Sequence, residues 1–297
     1  MVSESLPSFL VPVWPAPERV KALTTTRGGG CSAPPYESFN MGDHVGDVPT
    51  CVGHNRRRLT ELAGLPESPR WMNQVHGTRV SVESGILCSD SDSNSIVVPN
   101  QDESGCEADA SITDQAGIVL AVMTADCLPV LVCDRQGERI GAIHAGWRGL
   151  LDGIIEQTFL GLSEQIAREG GGTAPKPDDW LVWLGPAIGP EAFEVGDEVR
   201  QAFLAHDPAA EVAFRPPPPA PHRPHAQTSQ SKWLADLYLL ARQRLQGLGI
   251  EAIYGGGFCT YTDSQRFFSY RRDGVTGRMA TCIWLDESGS RADTAVS

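Results

Sequence analysis

The sequence predicts a domain of mixed α/β class, in which strands and helices alternate and surface insertions are carried between them. Three observations support this. Residues 117–123 and 128–133 are apolar runs of strand length, and 134–137, lying between the second run and 139–145, has hairpin-turn composition. After His144 the pattern changes: Gly146-Trp-Arg-Gly149 leads into Leu150, Leu151, Ile154, Ile155, Leu162 and Ile166 at helical spacing. Strand and helix signals continue across both Pro/Gly-rich segments, 169–179 and 215–231, so neither separates two self-sufficient hydrophobic halves.

Taken in order, residues 1–19 are Pro-rich and irregular, and 20–26 reads as a Thr-rich strand. Arg27 then precedes three glycines, which let a backbone approach a ligand closely, so this is an anion loop or an ordinary turn. Asn40 opens a polar loop at 40–44. Residues 55–65 read as a short helix, 71–76 and 78–83 as strands around Gly77, and 107–113 as the start of the central sheet region. The intervening 84–105 is rich in Ser, Asp, Asn and Glu and reads as a surface loop. Beyond the 150–166 helix come a strand at 180–184, a Gly/Pro loop at 185–190 and a helix at 196–206. The dense prolines of 215–231 suit an exposed insertion. Residues 232–246 carry apolar residues at helical spacing, 251–257 reads as a strand with a glycine turn, 278–285 is the last strand, and 286–297 is a disordered tail.

Composition excludes several classes. The net charge is −13 and the pI about 4.9, which argues against nucleic acid or an anionic membrane as the main partner and favours a small substrate. No apolar run approaches the ~20 residues of a membrane span. The N-terminus lacks the basic region of a secretory signal. The eight cysteines are scattered with no CxxC, as expected of reduced thiols, so the expected compartment is the cytoplasm.

The sharpest chemical signal is a thiol and two imidazoles at strand ends. Cys127 lies in a short break between two strands, His144 where a strand passes into a helix, and His76 just before Gly77. Loops at strand ends, held by a rigid sheet, are where chemistry concentrates. Three N/S ligands with an open fourth position is the pattern of catalytic zinc. The spacing is long, with 50 residues between His76 and Cys127 and 16 between Cys127 and His144, so two other readings stand beside it. One is a buried cysteine with two hydrogen-bonded histidines. The other is a Cys127 nucleophile with His144 as base. Asp126 and Arg148 flank the thiol and the imidazole. Arg148, at a helix start, and Arg271, after an aromatic run, join Arg27 as candidate anion ligands.

Eight ordered motifs together resemble one known family. They are TTRGG (25–29), NQVHG (73–77), ADA (108–110), TADCLPVL (124–131), GAIHAGWRGL (141–150), WLGPAIGP (183–190), FEVGDEV (193–199) and FFSYRRDGVTGR (267–278). The chain resembles the YfiH-like laccase-domain family, also called the polyphenol oxidase or peptidoglycan editing factor family, across about 20–285. Segments 84–105 and 215–231 look longer than that family needs. The resemblance implies a single-domain α/β/β/α four-layer sandwich with mixed sheets. It implies zinc held by His76, Cys127 and His144. It implies phosphorolysis of adenosine, inosine, guanosine and methylthioadenosine, with deamination of adenosine, for which Asp126 or Asp109 is the candidate proton carrier. In that setting Cys127, His144 and Asp126 are the expected catalytic residues, and Arg27, Asn40, Arg148 and Arg271 the expected substrate or phosphate ligands. The expected assembly is a monomer or a homodimer.

Three rival functions carry different chemistry. A copper polyphenol oxidase fits the older family label, and Cu(II) competes well at N/S sites, but seven histidines without an HxH pair are a poor basis for a multinuclear centre. A Cys–His amidohydrolase acting on peptidoglycan precursors would need no phosphate. A metal-buffering or partner-binding module would show no turnover.

Overall fold

Residues 128–134 are buried along their whole length, and alternate side chains enter different cores. Leu128, Val130 and Val132 join one apolar cluster, whereas Leu131 and Cys133 join another. Successive side chains of a strand point to opposite faces, so this strand must lie in a sheet covered on both sides. The computed structural model, which describes residues 8–83, 97–99, 106–168, 175–218 and 231–287, shows what covers it.

The chain runs through β1 (Phe9–Leu10), β2 (Val20–Thr25), α1 (Pro49–Ala63), β3 (Val80–Val82), β4 (Val97–Pro99), β5 (Ala110–Thr113), β6 (Val119–Thr124), β7 (Leu128–Asp134) and β8 (Ile140–Ala145). It continues through α2 (Trp147–Asp152), α3 (Ile154–Arg168), β9 (Trp180–Leu184), β10 (Glu194–Gly196), α4 (Asp197–His206), β11 (Phe214–Arg215) and β12 (Lys232–Ala235). It closes with α5 (Leu237–Gly247), β13 (Ile253–Gly255), α6 (Tyr270–Asp273) and β14 (Met279–Leu285). A mixed seven-stranded sheet has the order β13-β9-β7-β8-β5-β3-β4, a four-stranded sheet the order β1-β2-β14-β6, and a small third sheet the order β10-β12-β11.

The clusters define four layers. On one face of the large sheet, Val130, Ile143 and Val182 pack on Ile155, Phe203 and Leu240 from α3, α4 and α5. On its other face, Leu131, Ala142 and Trp183 meet Leu120, Val122 and Ile283 of the four-stranded sheet. The outer face of that second sheet, with Ala121, Cys282 and Trp284, is covered by Leu59 of α1 and by Phe39 and Met41. Fully burying an aliphatic side chain is worth about 1.5–3 kcal/mol, so these interlocked faces hold the layers in one register. This is the mixed α/β sandwich that the resemblance implies. Among the described residues no helix is long and apolar enough to cross a membrane.

Several elements differ from the sequence expectation. Residues 71–76 form no strand; Asn73 makes one isolated bridge, to Glu107, and Gln74 uses its side-chain amide on the N–H and carbonyl of Met123 at 2.7 and 2.8 Å. A side chain thus does along the edge of β6 what strand backbone would do. The expected helix at 232–246 is a strand followed by a helix. Asp236 divides them, because its carboxylate caps α5 by accepting the Leu239 N–H at 3.0 Å. The expected 150–166 helix is broken at Gly153, whose φ is 98°, and α1 begins at Pro49 rather than 55. Phe9 and Leu10 pair with β2, and 97–99 within the expected loop pair with β3. The rest of 84–105, most of 215–231 and nearly all of the tail lie outside the described residues.

Two loops near the catalytic candidates are tied by one phenol. The Tyr238 hydroxyl accepts the Ala187 N–H at 2.8 Å and lies 3.0 Å from the carbonyls of Gly185 and Phe258. Replacing Tyr238 with Phe removes that link without changing shape. We expect a loss of about 1–3 kcal/mol in urea unfolding, because buried main-chain groups lose their partner. No change in the unfolding midpoint would show that the link is idle.

Candidate metal centre

Three separate backbone junctions deliver three donor atoms. After β6 the chain leaves the four-stranded sheet, and residues 125–127 carry it into the seven-stranded sheet at Leu128. Cys127 is the last residue of this crossing. His144 lies in β8 opposite Pro129 of β7. His76 lies in the connection before β3, with φ 62°, a left-handed conformation uncommon for a residue with a side chain. The ligand atoms of His76, Cys127 and His144 all fall within 4.8 Å of one another. Cys127 Sγ is 3.6 Å from His76 Nε2, and the two imidazoles meet edge to face at 4.7 Å.

Gly146 makes this convergence possible. A Cβ there would stand 2.6 Å from His76 Cδ2 and 3.2 Å from Cys127 Sγ. Just beyond, Gly149 packs so closely that its Cβ would meet the Gly77 carbonyl at 2.9 Å.

A buried carboxylate arranges two of the three donors. Asp109 Oδ1 accepts the His144 Nδ1–H at 2.8 Å and the His76 N–H at 2.9 Å. Its Oδ2 accepts the N–H groups of Gly77 at 2.7 Å and Val75 at 3.2 Å. The bond to Nδ1 leaves His144 Nε2 as the free ring nitrogen, and a carboxylate holding the other nitrogen is usual for metal-bound imidazole. Asp109 is completely buried with both oxygens occupied, so it orients ligands and does not reach a substrate. Asp126 is also engaged. Its carboxylate accepts the Thr260 hydroxyl and the Arg271 N–H, both at 2.6 Å, and its carbonyl accepts the Ile188 N–H at 2.9 Å. Those bonds hold Asp126 at φ 96° and fix the crossing that carries Cys127.

The electrostatics follow from these contacts. Burial would raise the Cys127 thiol, but the charge of His144 and hydrogen bonds from His144 and His76 bring it down to about 6. Burial would lower His144, but the Cys127 thiolate and Asp109 bring it up to about 9. Without a metal the two titrate as a coupled thiolate–imidazolium pair that persists through neutral pH. Burial would also raise the Asp109 carboxyl, yet the His144 contact and the backbone N–H groups keep it below its ordinary value.

The expected anion ligands are mostly occupied. Arg27 donates to the carbonyls of Glu37 and Ser264 and lies over Phe268. Arg271 donates to the Glu194 carbonyl at 2.7 Å and lies over Phe193. Arg148 is exposed and stacks on Trp147 at 4.4 Å. Asn40 is completely buried, and its amide bonds Gly42, Asp47 and the Arg278 N–H. It therefore serves the fold of its loop and does not face a ligand. Sequence reasoning missed Gly146 and Arg278 and misjudged Asp109. Their positions depend on strand register, and the motifs that contain them, ADA, GAIHAGWRGL and FFSYRRDGVTGR, give none of them its role.

Comparison with known proteins identifies the family. A family model described as multi-copper polyphenol oxidoreductase laccase matches residues 21–286. The chain belongs to this family. In this laccase-type family it is 46% identical over 277 residues to the purine nucleoside phosphorylase YfiH of Escherichia coli, covering 93% of this chain and 98% of that protein. It is 45% identical over 280 residues to a purine nucleoside phosphorylase of Pseudomonas aeruginosa, covering 94% and 99%. A crystal structure of a Neisseria meningitidis protein superposes with a TM-score of 0.73 at 42% identity, covering 94% of this chain and 99% of the other. YlmD from Geobacillus stearothermophilus gives 0.70 at 33% identity, covering 91% and 93%. The laccase label concerns copper, and the trio of one thiol and two imidazoles could hold a metal ion.

Asp109→Asn should weaken metal binding by roughly 10–100-fold, the usual effect of losing such a partner. Competition with a fluorescent chelator reads this directly. An unchanged metal affinity would mean that Asp109 does not orient the trio.

Proposed function

We propose that the chain is a zinc-dependent purine nucleoside phosphorylase, converting adenosine, inosine, guanosine or methylthioadenosine and phosphate to free base and the ribose 1-phosphate, with adenosine deamination as a side activity. The observation that carries the reading is the convergence of His76, Cys127 and His144 on one point, with His144 oriented by Asp109. Relatives that align over nearly their whole length bear the phosphorylase name. The trio suits zinc, with its thiolate and neutral imidazoles, and three protein ligands leave a position for a reactant.

In phosphorolysis a phosphate oxygen bonds to the anomeric carbon as the carbon–N9 bond breaks. The bond pair leaves with the purine, which takes up the proton that phosphate gives up. The transition state is cationic at the sugar, so a site that fixes an anion beside it lowers the barrier. When bound, the metal supplies Lewis acidity that can polarise an oxygen of a reactant. Within the protein, Cys127 and His144 hold the charge of the centre, Asp109 sets the His144 tautomer, and Asp126 with Thr260 keeps the Cys127 crossing rigid. In this reading 20–285 act as one catalytic domain on small substrates, nucleosides and phosphate, in the cytoplasm.

The thiolate–imidazolium pair favours one alternative, a metal-free Cys–His hydrolase. Adenosine incubated with metal-loaded protein, with and without phosphate, separates the two. Phosphorolysis predicts adenine only when phosphate is present. It also predicts that Cys127→Ala loses the metal and at least about a hundredfold in turnover. Full activity of Cys127→Ala, or activity surviving complete metal removal, contradicts the assignment.

A further inference from the structure

We propose that Arg278 is the anion receptor of this site and binds the phosphate co-substrate, an inference that rests on the phosphorylase reading. Arg278 precedes β14, whose first residue, Met279, pairs with Thr124 at the end of β6. That register sets Arg278 level with the start of the 125–127 crossing. The acidic groups that act on its guanidinium are Cys127, one of the trio, Asp126, which precedes it, and Tyr270, whose neighbour Arg271 bonds Asp126 through its N–H at 2.6 Å.

The arginine is built in. Asn40 Oδ1 accepts its N–H at 2.8 Å, and its carbonyl accepts the Met41 N–H at 3.1 Å. Its stem lies against Gly42 so closely that a Cβ there would be 2.8 Å from Arg278 Cγ. Nη1 donates to the carbonyls of Thr276 and Gly277 at 3.0 and 3.1 Å. Nε and Nη2 make no hydrogen bond among the described residues, and the guanidinium has no ion pair there. Its neighbours differ. Arg56 is paired with Asp43 at 3.2 Å, Arg272 with Asp273 at 2.7 Å, and Arg266 with Asp263 at 2.5 Å. A half-buried cation without an ion-paired carboxylate is costly unless an anion completes it. An open Nε–Nη2 edge is the fork that takes two oxygens of a tetrahedral oxyanion side by side. The positive field extends to His44, where burial and then the Arg278 charge lower the imidazole's affinity for a proton.

Asn40 is the positioning residue in this scheme. One amide oxygen bonds both Gly42 and Arg278, which lays the arginine stem in its groove.

The test measures inorganic phosphate binding by calorimetry and initial rates of adenosine phosphorolysis, using metal-loaded full-length protein. Arg278→Gln should raise the Kd and the KM for phosphate at least about tenfold, with metal content and adenosine KM little changed. Arg278→Lys keeps a charge and fills the groove, and should give an intermediate loss; it carries the test if the glutamine variant fails to fold. Adenosine 5′-monophosphate is the comparison ligand for a phosphate held as an ester. Phosphate binding and KM unchanged in the lysine or glutamine variant would overturn the inference. So would a loss confined to the nucleotide. Wild-type protein that binds phosphate through Arg278 but releases no base in its presence would overturn the phosphorylase reading and leave the receptor standing.

Discussion

The Asp109 carboxylate is the constraint on which the candidate centre depends. Four donors converge on its two oxygens: three consecutive backbone N–H groups around His76, and the imidazole of His144. The backbone bonds hold His76 in a left-handed conformation that it would otherwise avoid, and the imidazole bond selects the His144 tautomer. A buried, ionised carboxylate is tolerable only because all four donors point at it. Charge, backbone strain and ligand orientation at this centre are therefore one problem with one solution.

The third donor arrives by a different route. Cys127 ends the strap between two packed sheets, so its position is set by how those sheets stack, and by Asp126 clamping the strap to Thr260 and α6. Local flexing of one loop cannot move the sulfur without disturbing both sheets. Gly146 completes the arrangement by leaving out the one atom that would separate the thiol from the His76 ring. The site is assembled by topology first and side-chain chemistry second, which is why residues 50 or more positions apart can form it.

The same distinction explains what could be read from the sequence. Strands β7 and β8 and their hairpin were legible because continuous burial leaves a continuous apolar run. Their division between sheets was not, since the runs at β6 and β7 look alike yet lie in different layers. Lys232 to Ala235 fits a helical stripe as well as a strand, and the deciding feature is the Asp236 cap. Cys127 and His144 stood out as reactive side chains at strand ends. His76 gained meaning only in their company. Asp109, Gly146 and Arg278 owe their roles to register and close approach, and neither leaves a periodic trace. The arginines that looked most exposed to anions in the sequence, Arg27, Arg148 and Arg271, turn out to be stacked on aromatic rings, and Arg27 and Arg271 are also tied to carbonyls, while Arg278, just before β14, keeps an open edge.

The central claim is that two imidazoles and one thiolate share a single ion. X-ray absorption at the zinc edge of protein loaded with one equivalent measures this without reference to turnover. The account predicts one sulfur at about 2.3 Å and two nitrogens at about 2.0–2.1 Å, with a lighter fourth neighbour. A first shell without sulfur, or one of oxygens alone, would contradict it.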